Sequence, residues 1–234
     1  MGNYREKLIS LLYPRRCPVC DEVVPRPGMY ICPPCREKLE YVKGAVCIKC
    51  GKTVLEGEEW CKDCRQNTHY FDRGVALYRY PCVRQSIFRL KYQGRREYLD
   101  FFSKEIAQKM ELQFQLWQPD AIIGVPLHKQ RERKRGYNQA GLLAEKIGKE
   151  TGIPFYKNLV VRQKNTLPQK GLDVSQRQNN LKKAFIISQN DVKLKTIVVI
   201  DDIYTTGSTM DAVASVLKAR GVEKVYYIAL AIGG

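Results

Sequence analysis

The chain has 234 residues and a formal net charge of +16, and 44% of its residues are hydrophobic. This length suits one large domain, or one domain with a small module, that buries an ordinary core. No apolar run approaches the roughly 18 residues that a membrane-spanning helix needs, and the N-terminus lacks a signal-peptide pattern, which predicts a cytoplasmic protein without a transmembrane segment. The basic surplus lies in the middle of the chain. It favours a polyanionic partner, either nucleic acid or a phosphorylated small molecule, over a generally basic surface.

Eight of the nine cysteines form C-x-x-C pairs within the first 65 residues. In a cytosolic chain these pairs favour metal over disulfides, and thiolates suit tetrahedral Zn²⁺. An internal repeat that starts at Cys17 and again at Cys47 predicts two small zinc ribbons, with one or two zinc ions. The candidate ligands are Cys17, Cys20, Cys32 and Cys35 in one unit and Cys47, Cys50, Cys61 and Cys64 in the other. An interleaved cross-brace is the alternative to these sequential sets. The ninth, Cys82, is expected to be a small buried apolar residue.

After the cysteines the periodicity changes, so we divide the chain into a double zinc ribbon at 1–70 and a second domain at 71–234. Alternation predicts a strand at 73–80, and helical spacing over 83–110 predicts helices with a break at Gly94. Further strands are predicted at 120–126, 157–162, 183–188, 196–200 and 222–234, and further helices at 138–152 and 208–221. Strands that alternate with helices predict an α/β fold, with a parallel sheet and helices on both faces.

The segment "VVIDDIYTTGST", residues 198–209, joins a buried strand to a helix through a short hydroxyl-rich loop. Ligands bind at the carboxyl ends of strands in open α/β sheets, and free N–H groups at a helix N-terminus bind phosphate. Ionised carboxylates only accept hydrogen bonds, so Asp201 and Asp202 suit the vicinal hydroxyls of a sugar. The phosphate would lie in the loop formed by Thr205, Thr206, Gly207, Ser208 and Thr209. The segment therefore predicts a ribose-5-phosphate site.

This segment resembles the signature by which type I phosphoribosyltransferases bind phosphoribosyl pyrophosphate (PRPP). Over nearly its full length the chain resembles the ComF family of late-competence proteins, which join a double zinc ribbon to a phosphoribosyltransferase-like domain. Stretches that carry the resemblance include "LLYPRRCPVC", "FDRGVALYRY", "LKYQG", "VPLHKQRERKRGYNQAGLLA" and "IDDIYTTGST". The resemblance implies that Asp201 and Asp202 hold the ribose hydroxyls, that residues 205–209 hold the 5-phosphate, and that Mg²⁺ bridges the ribose and the pyrophosphate.

The same resemblance implies that the pyrophosphate faces the turn formed by Pro126, Leu127, His128 and Lys129. The run that follows supplies further cations, among them Arg131 and Arg135, and arginine is the better bidentate phosphate ligand. The alternative is an exposed basic loop that contacts nothing, or only nucleic acid. His128 is either a base or a loop residue selected for its shape and polarity. The polar segment 162–177 is predicted to form a hood over the site.

The ComF resemblance implies a role in the uptake or processing of transforming single-stranded DNA, with competence proteins and the membrane uptake machinery as further partners. Rings interleaved with the cations suit such a strand, and the candidates are Tyr78, Tyr80, Phe88, Tyr92 and Tyr98. The alternative function is an active phosphoribosyltransferase that moves ribose 5-phosphate from PRPP to a nitrogen nucleophile. Thr205 stands where many purine-salvage relatives carry an aspartate that serves as a base, so catalytic turnover stays open.

Overall fold

A parallel sheet organises the protein, for which the computed structural model describes residues 14–26, 28–163, 184–188 and 193–233. Among these residues, four strands form the sheet in the order β1-β6-β5-β2, and β3 and β4 form a separate antiparallel pair. The strands are β1 Arg73–Arg79, β2 Ala121–Gly124, β3 Val160–Arg162, β4 Phe185–Ile187, β5 Thr196–Tyr204 and β6 Lys224–Ile232. The central strands β5 and β6 are rich in apolar residues because parallel strands are buried on both faces.

Helices cover both faces of this sheet. The described helices are α1 Pro33–Arg36, α2 Lys62–Gln66, α3 Tyr80–Tyr92, α4 Tyr98–Lys109, α5 Glu111–Trp117, α6 Lys129–Arg135, α7 Gln139–Thr151 and α8 Ser208–Lys218. Alternation along β5 sends Ile197 and Val199 into the core that contains α8, and Val198 and Ile200 into the core that contains α3, α4 and α7. The predicted α/β fold with helices on both faces is confirmed.

The cysteine-rich segment is built into these cores. Cys17 and Cys35 lie in the core on the α3 side, whereas the later cysteines from Cys47 to Cys64 lie in the core on the α8 side. The same segment covers the outer edge of β1, where Val42 N–H donates to the Leu77 carbonyl at 3.0 Å. An uncovered edge strand would offer unpaired backbone groups to other chains. The cysteine segment therefore completes the sheet domain.

Unequal strand lengths create a gap at the carboxyl end of the sheet. The ladder between β2 and β5 ends at Gly124 opposite Ile200, whereas the ladder between β6 and β5 continues to Tyr204. The strand predicted at 196–200 therefore runs four residues further than its apolar pattern, because β6 keeps pairing with it. Asp201 and Asp202 lie inside the strand, with the side toward β2 left open.

The other predicted elements agree with the structure to within a few residues, including the break at Gly94 between α3 and α4. The basic run at 129–135, for which an exposed loop was the alternative interpretation, forms helix α6, which ends where Gly136 adopts a φ of 82°. One expectation was wrong. Cys82 is only half-buried, and its sulphur accepts the Glu40 N–H at 3.3 Å, because it lies at the exposed first turn of α3.

A close contact between β2 and α7 fixes the helix beside the gap. A Cβ added to Gly124 would lie 2.5 Å from the backbone of Gly141, closer than real contacts allow. We expect Gly124→Ala to lower the free energy of unfolding by about 2 kcal/mol, since the helix backbone has to move. Urea denaturation measures this. Gly233→Ala is the matched control, because its Cβ would lie 3.7 Å from Tyr80. Equal stability of the two variants would contradict the prediction.

Candidate functional site

The acid pair occupies the open end of β5. Successive strand residues point to opposite faces, and Asp202 points to the α3 side. There it forms an ion pair with Lys91 on α3 and a long 3.5 Å contact with the side-chain amide of Gln139 on α7. Asp202 is 6% exposed, so this pairing stabilises a carboxylate that would be costly to bury alone. Asp201 accepts the Asp202 N–H at 2.8 Å.

The two acids differ electrostatically. Protein atoms packed around the Asp201 carboxyl desolvate it and raise its pKa well above the ordinary value of 3.8, and the neighbouring Asp202 carboxylate raises it further. The positive charge of Lys91 lowers the pKa of Asp201, but this lysine forms its ion pair with Asp202. An acid held at such a cost to stability is typical of a functional site.

The hydroxyl loop follows directly and begins α8. Thr205 and Thr206 are exposed, and the Thr206 and Ser208 hydroxyls lie 3.0 Å apart. Gly207 immediately precedes α8 and has a φ of 81°, a left-handed conformation that glycine adopts at little cost. Ser208 and Thr209 belong to the first turn of α8, whose free N–H groups can bind an anion. The sequence-predicted residues of this loop therefore lie together, beside the acid pair.

The basic helix α6 begins at the turn that leaves β2. His128 is its N-cap, with Nδ1 accepting the Gln130 N–H at 3.3 Å, so that nitrogen is already engaged and favours the loop role over the base role. Arg135 donates to the Gln139 side chain, which in turn contacts Asp202. The cationic end of α6 is thus connected to the acid pair through one glutamine. The same turn contains Pro126 and Leu127, and the first residues of α6 include Lys129 and Arg131.

The cysteines form two four-sulphur clusters that suit structural zinc sites. Within each sequential set all four sulphurs lie within 4.8 Å of one another. The Cys20–Cys32 sulphurs are 3.9 Å apart and the Cys50–Cys61 sulphurs 3.6 Å apart. A tetrahedron with a metal–sulphur bond of about 2.3 Å has edges of about 3.8 Å, so the spacing fits Zn²⁺. The structure therefore brings together the four cysteines of each sequential set, and not those that an interleaved cross-brace would combine.

In both units of the repeat, the residue that follows the first C-x-x-C has a left-handed backbone conformation. Asp21 and Gly51 adopt positive φ angles of 64° and 73°, which close the two turns around the sulphurs. Burial raises the pKa of Cys47, but backbone N–H groups that point at the sulphur outweigh it and lower that pKa to about 7. A thiol that ionises easily is a good metal ligand.

Two protein families match this architecture in sequence. The Double zinc ribbon domain family matches residues 8–65, and the Phosphoribosyl transferase domain family matches residues 102–233, which is more than half of the chain. Competence protein F of Haemophilus influenzae is 31% identical over 224 residues, which cover 86% of this chain and 96% of that protein. The chain belongs to the ComF family.

Other relatives of this ComF-family chain have names that refer to competence or to DNA utilization. Competence protein ComFC of Bacillus subtilis is 27% identical over 84% of this chain and 81% of its own length. DNA utilization protein YhgH of Escherichia coli K12 is 28% identical over 92% of this chain and 96% of its own length. Among solved structures, a purine phosphoribosyltransferase from Pyrococcus horikoshii aligns at 20% identity with a TM-score of 0.35, over 58% of this chain and 72% of that one.

Sequence reasoning missed Lys91 and Gln139, the two side chains that reach Asp202 in this ComF-family site. Both lie within stretches that carry the family resemblance, "LKYQG" and "RGYNQAG", but no spacing rule connects either of them to Asp202, which is more than 60 residues away. The predicted hood at 162–177 lies outside the described residues, apart from Arg162 and Gln163. Among the described helices, none is both long and apolar enough to cross a membrane.

The raised pKa of Asp201 gives a pH-dependent prediction. A folded state that raises the pKa of an acid is fully stabilised below about pH 3.8, and this stabilisation is lost as the pH rises through the raised pKa. Asp201→Asn removes the titration and keeps an oxygen for the Asp202 N–H. We expect it to raise the free energy of unfolding by about 1 kcal/mol at pH 7.5, with the gain shrinking toward pH 4.

Asp202→Asn is the matched comparison in the same urea titrations. It breaks the ion pair with Lys91, so we expect it to lower stability at pH 7.5. A loss of stability in both variants would contradict the unequal roles of the two acids.

Proposed function

We propose that the chain binds PRPP or a related ribose-5-phosphate ligand with Mg²⁺, and that it serves competence by handling transforming single-stranded DNA on the cytoplasmic side of the membrane. The observation that carries the first part is the contiguous placement of the acid pair and the hydroxyl loop at the open carboxyl end of β5. Membership of the ComF family and the names of the relatives support the second part.

The carboxylates and the loop bind complementary parts of such a ligand. Asp201 and Asp202 accept hydrogen bonds from the ribose hydroxyls, and the N–H groups and hydroxyls of residues 205–209 donate to the 5-phosphate. Carboxylate oxygens are also the donors that Mg²⁺ prefers, so the acid pair fits this ion as well, and bound Mg²⁺ would neutralise charge on the pyrophosphate.

The pyrophosphate end of the proposed ligand binds beside α6. The turn at 126–129 points from β2 toward this helix, and Arg131 and Arg135 add bidentate cations. Lys91 is a further cation that the sequence did not reveal. Its ammonium neutralises Asp202 in the protein alone, and a ligand that brings Mg²⁺ would release it to bind phosphate oxygens.

Binding of PRPP is tested by calorimetry with and without Mg²⁺. We expect the double variant Asp201→Asn and Asp202→Asn to lose at least about a hundredfold in affinity, because each acid supplies charged hydrogen bonds of about 1.5 kcal/mol or more. The control is Glu150→Gln, an acid at the exposed end of α7. PRPP binding that needs neither Mg²⁺ nor the two acids would refute the proposed site.

The alternative function, active phosphoribosyl transfer, depends on the acceptor. Thr205 is exposed and cannot act as a carboxylate base, which disfavours purines as acceptors. A nucleophile that carries its own lone pair at neutral pH needs no such base. Release of pyrophosphate from PRPP in the presence of candidate amines would distinguish an enzyme from a protein that only binds the ligand.

An exposed aromatic patch on α3 favours the single-stranded DNA function. Of the rings that could face bases, Tyr78 and Tyr98 are buried, whereas Phe88 and Tyr92 are 48% and 68% exposed. The two exposed rings lie one helical turn apart with centroids at 5.1 Å, and the Arg135 guanidinium lies 5.6 Å from the Tyr92 ring. Paired exposed rings beside cations are a stacking surface for bases.

Stacking and charge make different predictions for binding of an oligo-dT strand. We expect the double variant Phe88→Ala and Tyr92→Ala to lose about tenfold or more in affinity without a change in the slope of log K against log salt. Arg84→Gln, an exposed cation one turn before Phe88, should reduce that slope by about one.

The control for the aromatic pair is Leu112→Ala with Leu116→Ala, an exposed pair one turn apart on α5. An abasic strand sharpens the test, since it should bind the wild type and the aromatic variant equally. If the wild type binds no strand, or binds without salt dependence, the DNA part of the proposed function fails.

A further inference from the structure

A short segment that follows the second cysteine cluster lies along helix α8. We name residues 69–72 the strap. At one end, His69 Nδ1 lies 2.7 Å from Asp211 Oδ2, and the Tyr70 N–H donates to Asp211 Oδ1 at 2.9 Å. At the other end, Asp72 accepts the Lys218 ammonium at 2.6 Å.

The lengths of the strap and the helix match. Asp211 and Lys218 are seven residues apart on α8, which is about 10 Å at 1.5 Å per residue. The three steps from His69 to Asp72 also span about 10 Å in an extended chain. The strap therefore holds both ends of the helix whose first turn forms part of the hydroxyl loop.

The His69 ring also lies close to that loop. Its ring carbon Cε1, between the two nitrogens, would lie 3.1 Å from a Cβ added to Gly207, and the Tyr204 hydroxyl would lie 2.6 Å from it. These two groups leave room only for glycine at the turn that precedes α8. Phe71 stacks on the imidazole, with the two ring centroids 4.7 Å apart.

One ring nitrogen of His69 makes no hydrogen bond within the described part of the chain. His69 is 8% exposed, and its Nε2, bonded to the carbon nearest Gly207, has no hydrogen-bond partner within the described part of the chain. Asp211 is 7% exposed and has both oxygens engaged by the strap. A buried nitrogen without a partner at the edge of an anion-binding loop is unusual, because nearly all such groups are satisfied.

We propose that His69 and Asp211 are a positioning pair for the phosphate loop: Asp211 orients the imidazole, and the imidazole holds Gly207 and the first turn of α8 in the conformation that binds a phosphate monoester. This inference rests on the proposed function, because it assumes that the loop takes the 5-phosphate. It also makes His69, which follows the second cysteine cluster, a working part of that site.

The test uses calorimetry with two probes, ribose 5-phosphate and inorganic pyrophosphate with Mg²⁺. His69→Ala should weaken ribose 5-phosphate binding about tenfold, equivalent to about 1.4 kcal/mol, and leave pyrophosphate binding unchanged. His69→Asn should restore part of the affinity, because its amide can still donate to Asp211 but has no ring carbon beside Gly207. The control is Asp72→Asn, which loosens the strap at the far end of the same helix.

Amide hydrogen exchange of the unliganded proteins gives a readout independent of any ligand. Exchange over residues 205–211 should increase in His69→Ala and not in Asp72→Asn. Equal losses for both probes, or unchanged exchange and unchanged ribose 5-phosphate affinity in His69→Ala, would overturn the positioning role. If the wild type binds neither probe but exchange increases as expected, the proposed function fails and His69 still orders the loop.

Discussion

Two adjacent carboxylates at the open end of β5 are the constraint around which the site is arranged. Side chains at successive strand positions point to opposite faces, so Asp201 and Asp202 meet different surroundings. Lys91 and Gln139 satisfy Asp202 from the α3 and α7 side, whereas burial and the neighbouring charge raise the pKa of Asp201. The raised pKa means that deprotonation of Asp201 opposes folding as the pH rises toward neutral, and perturbed acids of this kind cluster at functional sites.

The cysteine clusters explain how the elements around these acids are held. The first cluster lies in the core with α3, and the turn at 18–21 accepts hydrogen bonds from Ser86 and Arg89 on that helix, which also carries Lys91. The second cluster lies in the core with α8, where Tyr227 donates to the Cys50 carbonyl at 2.6 Å. Each ribbon therefore supports the element that supplies one side of the site: Lys91 on one face and the hydroxyl loop on the other.

The sequence predicted more of the loop than of its surroundings. Residues 198–209 are contiguous, so their order specified a strand, an acid pair, a glycine turn and a helix start before any fold was known. Lys91, Gln139, His69 and Asp211 could not be found in the same way, because each partner lies on a distant element. The buried or exposed state of the rings was equally out of reach, since Tyr78 and Tyr98 face the core while Phe88 and Tyr92, of the same chemical kind, face solvent.

The sequence by itself determined the α/β class, the order of the strands and of helices α3, α4, α7 and α8, and the cysteine ligand sets as one of two pairings. It also placed the acid pair and the hydroxyl loop between a strand and a helix, because each of these features depends on local spacing and periodicity. Only the tertiary structure decided that β5 continues to Tyr204 past the end of β2, that the cysteine clusters lie in opposite cores, and that the strap reaches α8. These features depend on contacts between residues as far apart as His69 and Asp211, and such contacts are fixed by packing rather than by any local pattern.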